Sequence, residues 1–219
     1  FKQADVEKES DAKEKDKKSH DKPHKEHKEH KEHKPSKPAA EPAKKAAPKP
    51  ASEKSSSGDG SVADALRSAG YKLLSDVKIA GKAIDYVGMC ADHLLLCLVD
   101  SENGDWLADE ERFNDEEPLW FSESNHRISP VRVILNARDA LTPMLTGSAR
   151  GMEVKPMVVI NQGTIINAED MFEVWDNLKV TVCRSGAGGP DEIKALENAV
   201  SKVKAPDDAV LRDVSNLLS

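Results

Sequence analysis

The sequence predicts a mixed α/β domain, a central sheet of about five strands flanked by helices, behind a disordered N-terminal tail. Three observations predict it. From residue 61 onward the hydrophobic spacing switches between helical and strand periods in the order α-β-β-β-α-β-α-β-α-α. One segment, 93–100, is nearly all apolar, as a strand covered on both faces must be. Residues 1–57 contain one aromatic residue, Phe1, and one branched aliphatic, Val6, too little apolar surface to offset chain entropy.

The first element is a helix, because Val62, Ala65, Leu66 and Ala69 share one face and Gly70 can end it. Residues 73–79 alternate as a strand, Gly81-Lys82 supplies a turn, and 83–89 make a second strand. Residues 93–100 form the third and central strand. Residues 101–129 read as an acidic, aromatic-bearing connection with no clean period. Val131, Val133, Ile134, Leu135, Ala137, Leu141 and Leu145 predict a helix over 130–145. A fourth strand follows at 157–160, an amphipathic helix at 168–178 and a short fifth strand at 180–183. Residues 190–204 read as a helix with Pro190 at its first position and Asp191 and Glu192 complementing its dipole. A last helix over 207–218 carries Val210, Leu211, Val214, Leu217 and Leu218 on one stripe. It either completes the core or docks on another subunit.

Charge divides the chain in the same place. Residues 1–57 carry 16 Lys against 12 Asp and Glu, and residues 58–219 carry 16 Lys and Arg against 27 acids. A tail of +4 therefore precedes a domain of −11. An acidic domain makes a poor phosphate-backbone binder, since nucleic-acid affinity rests on Lys and Arg. Nucleic acid is accordingly not expected as a partner. In the tail, a His-Lys-Glu triplet repeats over 24–33 and places His24, His27, His30 and His33 three apart. Such imidazoles can gather Zn²⁺, Ni²⁺ or Cu²⁺, but each is flanked by Lys and Glu, which favours a solvated tether that gains charge near pH 6. The Pro/Ala/Lys stretch at 35–50 reads as a stiff spacer, and 55–60 as a flexible joint.

Cys90, Cys97 and Cys183 are odd in number, lie in apolar settings and form no CxxC pair, which points to buried thiols in a reducing, cytoplasmic compartment. The longest apolar run, 94–99, is far shorter than a membrane span. The chain starts at Phe1 rather than Met, which leaves room for an upstream signal or anchor.

The stretch from Tyr71 to Glu102 carries the most information. It reads strand, turn, strand through Ala83-Ile84-Asp85, tight turn, then an apolar strand ending Val99-Asp100-Ser101-Glu102. With the helix Val62-Ala63-Asp64-Ala65-Leu66 before it, and Met157-Val158-Val159-Ile160 and Val180-Thr181-Val182-Cys183 after it, this pattern resembles the nuclease-related domain (NERD) branch of the PD-(D/E)xK nuclease-like superfamily over residues 62–200. The resemblance implies a restriction-endonuclease-like core. It places Asp85 at the metal-binding aspartate and Val99-Asp100-Ser101-Glu102 in the Glu-x-Lys slot.

The departure from that pattern carries the functional expectation. Phosphodiester hydrolysis needs carboxylates to hold a hard cation such as Mg²⁺, and a positive group near the attacking water or the phosphate. Asp85 and Asp100 are the candidate ligands, with Asp64 a distant third, while Glu102 stands where the lysine belongs. A lysine displaced to another position, such as Lys78 or Lys82, could restore the cation, and a lysine or arginine beside both aspartates with an open basic groove leading in would favour a nuclease. Nine acids between Asp100 and Glu117, opposed by Arg112 alone, would repel a nucleic-acid strand. Trp106, Phe113, Trp120 and Phe121 are interleaved with these acids. They are candidate interface anchors, or else they fold back over the sheet edge.

Three further features yield no site. The glycines of 186–189 lack a following GK[ST] and read as a turn; His93 and His126 have no catalytic partner in sequence; Cys183 and Ser185 lack a nucleophile context.

Two functions follow. The leading expectation is a non-catalytic interaction or scaffold subunit, without a cofactor, on a degenerate nuclease-like domain. Its charged tether would reach other protein subunits of a larger bacterial-type assembly. A secretion or conjugation apparatus, with membrane association through partners, is an analogy from the tail-plus-domain layout. The alternative is a Mg²⁺-dependent nuclease acting through Asp85 and Asp100. An unrelated α/β domain, with both aspartates at solvated strand ends, is the bland reading.

Overall fold

The computed structural model describes residues 59–109, 118–186 and 189–219. The expected tail, with His24, His27, His30 and His33, lies outside the described residues, as does Phe113. The described residues belong to one unit, Ser52–Ser219.

The chain runs α1 (Asp59–Ser68), β1 (Lys72–Ile79), β2 (Lys82–Met89), β3 (His93–Asp100), β4 (Asp105–Ala108), β5 (Leu119–Phe121), β6 (His126–Ile128), α2 (Pro130–Leu141), β7 (Glu153–Ile160), β8 (Thr164–Ile165), α3 (Ala168–Leu178), β9 (Thr181–Arg184), α4 (Leu196–Ala199) and α5 (Asp208–Leu218). Two short 3₁₀ turns link α2 to β7. The expected five-stranded mixed sheet is present, in the order β1-β2-β3-β7-β9. Its first three strands are antiparallel, and β3, β7 and β9 run parallel. Among the described residues no helix is long and apolar enough to cross a membrane.

Alternation along the central strands builds two cores. Leu94 and Leu96 of β3 and Val158 and Ile160 of β7 face α2, α3 and α5. Leu95, Cys97, Met157 and Val159 face α1 and Leu196. All of these side chains are buried, so β3 and β7 read in sequence as unbroken apolar runs. The three cysteines are buried free thiols.

Two expectations are corrected. Residues 101–129 are not an irregular connection, because β4, β5 and β6 lie within them. With β8 they form a second, four-stranded sheet in the order β6-β5-β4-β8. These strands have two to four residues each, too few to display a period. The helix expected over 190–204 is reduced to α4. Glu192 takes a φ of +57°, Ala195 is extended, and Ala195 forms a parallel bridge to Arg184, so the chain is drawn along the edge of β9 instead of coiling. Asp191 is thus no dipole complement. It is buried and paired with Arg184. A smaller difference is that α2 stops at Leu141, since Pro143 cannot continue it.

Candidate functional site

The parallel strands bring three carboxyl ends together, the place where open α/β sheets bind ligands. Asp100 closes β3, Ile160 closes β7 and Arg184 closes β9. Just beyond them, Ser185 Oγ donates to Asn161 Oδ1 (2.8 Å) and Asn161 Nδ2 donates to Ser101 Oγ (3.1 Å). The backbone ties the same ends, with Asn161 N–H donating to the Asp100 carbonyl at 2.8 Å.

Asp100 continues the Leu94–Leu96 face, so its carboxylate enters the space between the two sheets. There it meets Arg127 of β6. The pair is bidentate, with Nη1 on Oδ1 and Nη2 on Oδ2. The side chains are only 18% and 5% exposed. The guanidinium lies 4.1 Å from the centroid of Trp106 and 5.2 Å from that of Trp120. The charge is therefore neutralised on its edge and stacked on its faces, which is what a planar guanidinium allows and an ammonium does not. Both Asp100 oxygens are taken up, and Oδ1 also accepts from Glu102 N–H at 3.4 Å.

Asp85 does a different job. The β1–β2 ladder skips Asp76 and Asp85, where Asp76 takes a φ of +55°. The β2–β3 ladder ends at Tyr86 and Cys97. Val99 N–H, the next donor, is satisfied by Asp85 Oδ2 at 2.7 Å. The aspartate thus replaces a missing backbone acceptor. Its charge is also felt at Cys97 of β3. The Cys97 thiol is pushed well up by burial first, then by Cys183 and Asp85.

The candidate metal ligands therefore do not converge. Asp100 is committed to Arg127, Asp85 caps Val99, and Asp64 sits exposed on α1, paired with Arg67 at 3.2 Å. Among the described residues no group of three or more His, Cys, Asp or Glu side chains is placed to hold a metal ion. Lys78 and Lys82 are both exposed on the β1–β2 hairpin, and neither pairs with Asp100. One electrostatic expectation is corrected: a cation does stand beside Asp100. It comes from Arg127, and Glu102, which occupies the lysine slot, is exposed.

The anchor residues separate as well. Trp106 and Trp120 are 3% and 0% exposed, so their assignment as exposed anchors is corrected. They are core, and they shield the ion pair. Phe121 is 39% exposed and remains a candidate contact residue.

A second buried pair lies at the end of β9. Arg184 Nε donates to Asp191 Oδ1 at 2.8 Å, its Nη2 donates to Oδ2, and its Nη1 donates to the Gly163 carbonyl at 3.0 Å. Asp191 also accepts from Ile165 N–H and Ile193 N–H. Burial works to raise its pKa, but these bonds and the Arg184 charge outweigh it and hold the carboxyl below the usual value. Beside this pair opens a cavity of ≈ 420 Å³, whose lining includes Asp105, Glu169, Asp191 and Glu192.

No family model, curated protein or solved structure matches this chain.

Sequence reasoning missed Arg127, Asn161 and the Arg184–Asp191 pair. Arg127 sits in a three-residue strand, between an exposed His126 and a half-buried Ile128, so no period marks it as inward. Arg184 and Asp191 are only seven residues apart, but a helix over 190–204 would have turned Asp191 to solvent.

A third polar cluster is buried on the α1 side. Tyr71 Oη lies 2.8 Å from His93 Nε2, and Cys90 Sγ lies 3.2 Å from His93 Nδ1. Burial, with a smaller contribution from Cys90, pushes the Tyr71 phenol up to about 12. His93 is shifted down by burial first and then by Lys155, against opposing effects of Glu153 and Asp92.

Proposed function

We propose that this chain is a non-catalytic interaction or scaffold subunit, built on a degenerate nuclease-like core and carried on a charged tether within a larger bacterial-type assembly of protein subunits. One observation carries the reading: the carboxylate at the metal-ligand position, Asp100, has both oxygens engaged by Arg127 inside a sleeve of two indoles. A cation bound there would have to displace a desolvated bidentate pair, and removing one partner of such a pair costs roughly 3–5 kcal/mol. The order α1, β1, β2, β3 supports the nuclease-like core, since the resemblance requires a helix before a hairpin and a central strand. The acidic cavity at the same sheet edge argues against a phosphodiester substrate. Buried thiols fit the cytoplasmic placement.

The test is a Mg²⁺ and Mn²⁺ titration of the full chain with plasmid and single-stranded DNA. We expect no cleavage above a no-protein control. Metal-dependent cleavage that disappears in Asp85→Ala would replace this reading with the nuclease one.

A further inference from the structure

We propose that the outer face of the four-stranded sheet is a docking surface for a protein partner that presents an apolar stripe bordered by lysine or arginine. The proposal rests on the non-catalytic reading and deepens it, by naming the surface used and the chemistry it selects.

Alternation in the small sheet sorts its residues cleanly. Trp106, Ala108, Trp120 and Ile165 turn inward and are buried, and Arg127 turns inward to Asp100. The residues between them turn outward, and the register sets them in one row. Leu107 pairs with Phe121, and Phe121 pairs with His126. On the other side Trp106 pairs with Ile165, and Ile166 N–H donates to the Trp106 carbonyl, which sets Ile166 beside Leu107. The row Leu107–Phe121–His126 thus crosses β4, β5 and β6 and is extended by Ile166, the residue just past β8. Its three apolar members are 62%, 44% and 39% exposed. The His126 ring lies against Phe121, centroids 6.5 Å apart. Contiguous exposed apolar surface of this kind marks interaction sites, whereas isolated apolar residues do not.

The border of the row selects the occupant. Asp105 and Asp109 flank Leu107 two residues away on β4's outward side, and Glu123 lies two residues beyond Phe121. Of these, Asp105 and Glu123 are exposed. The four strands contain no lysine and one arginine, Arg127, which faces inward. An apolar centre with an acidic border repels phosphate and anionic lipid headgroups, and it sets carboxylates against carboxylates if a second copy approaches. The complementary occupant is a protein face with an apolar centre and a cationic edge.

The experiment uses the full chain, labelled with ¹⁵N and titrated with two short synthetic amphipathic peptides. Both have the same leucine face; one carries lysine at every polar position and the other glutamate. We expect the lysine peptide to shift the amide resonances of Leu107, Phe121, His126 and Ile166. It should bind at least ~10-fold more tightly than the glutamate peptide. The double variant Leu107→Ser/Phe121→Ser should weaken it by ~10-fold or more, and Met144→Ser, which removes a different exposed apolar side chain, should not. Equal affinity for both peptides, no binding by either, shifts that map elsewhere, or indifference to the double variant each overturns the proposal. So does light scattering that shows a concentration-dependent dimer lost in Leu107→Ser/Phe121→Ser, because the face would then belong to a second copy. DNA cleavage would end the non-catalytic reading and leave the peptide result intact. Failure of the peptides would remove this surface without making the chain a nuclease.

Discussion

Two buried ion pairs stand at the carboxyl ends of the parallel strands, and they are satisfied in opposite ways. Arg184–Asp191 is embedded in backbone: the carboxylate also accepts from Ile165 and Ile193 N–H, and the arginine also donates to Gly163 O. Asp100–Arg127 is embedded in aromatic faces. Among the described residues the Arg127 side chain makes no hydrogen bond to backbone, and its Nε finds no partner. The first pair is a staple that β8, β9 and the 190–193 segment cannot lose without orphaning main-chain groups. The second has one long backbone bond, from Glu102 N–H to Asp100 Oδ1 at 3.4 Å, and Glu102 is exposed to water, so the surrounding indoles could give the pair's place to an apolar filling. A buried pair is thus either part of the backbone's accounting or a replaceable plug, and its distances alone do not tell which.

The sharpest way to break this comparison is to remove each pair whole. Asp191→Ala alone should cost roughly 3–5 kcal/mol in urea denaturation, because it strands a buried guanidinium. The double variant Asp191→Leu/Arg184→Met should recover little, since Ile165 N–H, Ile193 N–H and Gly163 O still lack partners. Arg127→Met alone should cost about 3 kcal/mol, but Asp100→Leu/Arg127→Met should return to within about 1 kcal/mol of the parent. Equal recovery by both double variants would erase the distinction.

A third cluster sharpens it from the neutral side. Tyr71, His93 and Cys90 are held by hydrogen bonds without any formal charge pair. The Tyr71 phenol titrates near 10.0 when unfolded and about 12 when folded. Between those values the unfolded chain holds fewer protons, so stability should fall as pH rises from 10 to 12, by roughly 2 kcal/mol. Tyr71→Phe should start lower by about 1 kcal/mol, having lost the bond to His93, and show a shallower alkaline slope. A slope unchanged by the substitution would place the alkaline loss elsewhere.

These contrasts also explain what the sequence could and could not disclose. Long elements with a strong period were readable: β3 spans the His93–Asp100 expected of it, α3 spans 168–178, and the five-stranded sheet follows from them. The small sheet was hidden because its strands bury at most two residues each. Trp106 and Trp120 look like aromatic anchors in an acidic stretch until the pairing of Ala108 with Trp120 turns both indoles inward. The candidate site was legible as a set of residues but not as an arrangement. Asp85 and Asp100 do sit near one another on β2 and β3, yet what each binds was decided by a donor the sequence cannot rank, Val99 N–H for one and Arg127 for the other. Partners distant in sequence, such as Asn167 clamping both backbone groups of Ala108, leave no periodic trace at all.

The smallest expected effect lies at acid pH and isolates His93. The residue is 8% exposed and its ring has both nitrogens engaged, Nε2 with Tyr71 and Nδ1 with Cys90. Neutral imidazole offers one donor and one acceptor, which suits this pair of neighbours; imidazolium offers two donors and would force a rearrangement of one of them. Burial and then Lys155 hold its pKa below the usual 6.5, despite Glu153 and Asp92. As pH drops below 6.5 the unfolded chain therefore takes up a proton before the folded chain does. The stability contributed by the neutral ring is complete above that pH and is lost as pH falls through the folded pKa. Urea midpoints at pH 7.5 and 5.5 for the parent and for His93→Gln should differ in slope, with the parent losing more on acidification. Parallel losses in the two proteins would show that the ring is not the group being titrated. The neutral cluster would then tolerate a charge that neither ion pair can lose.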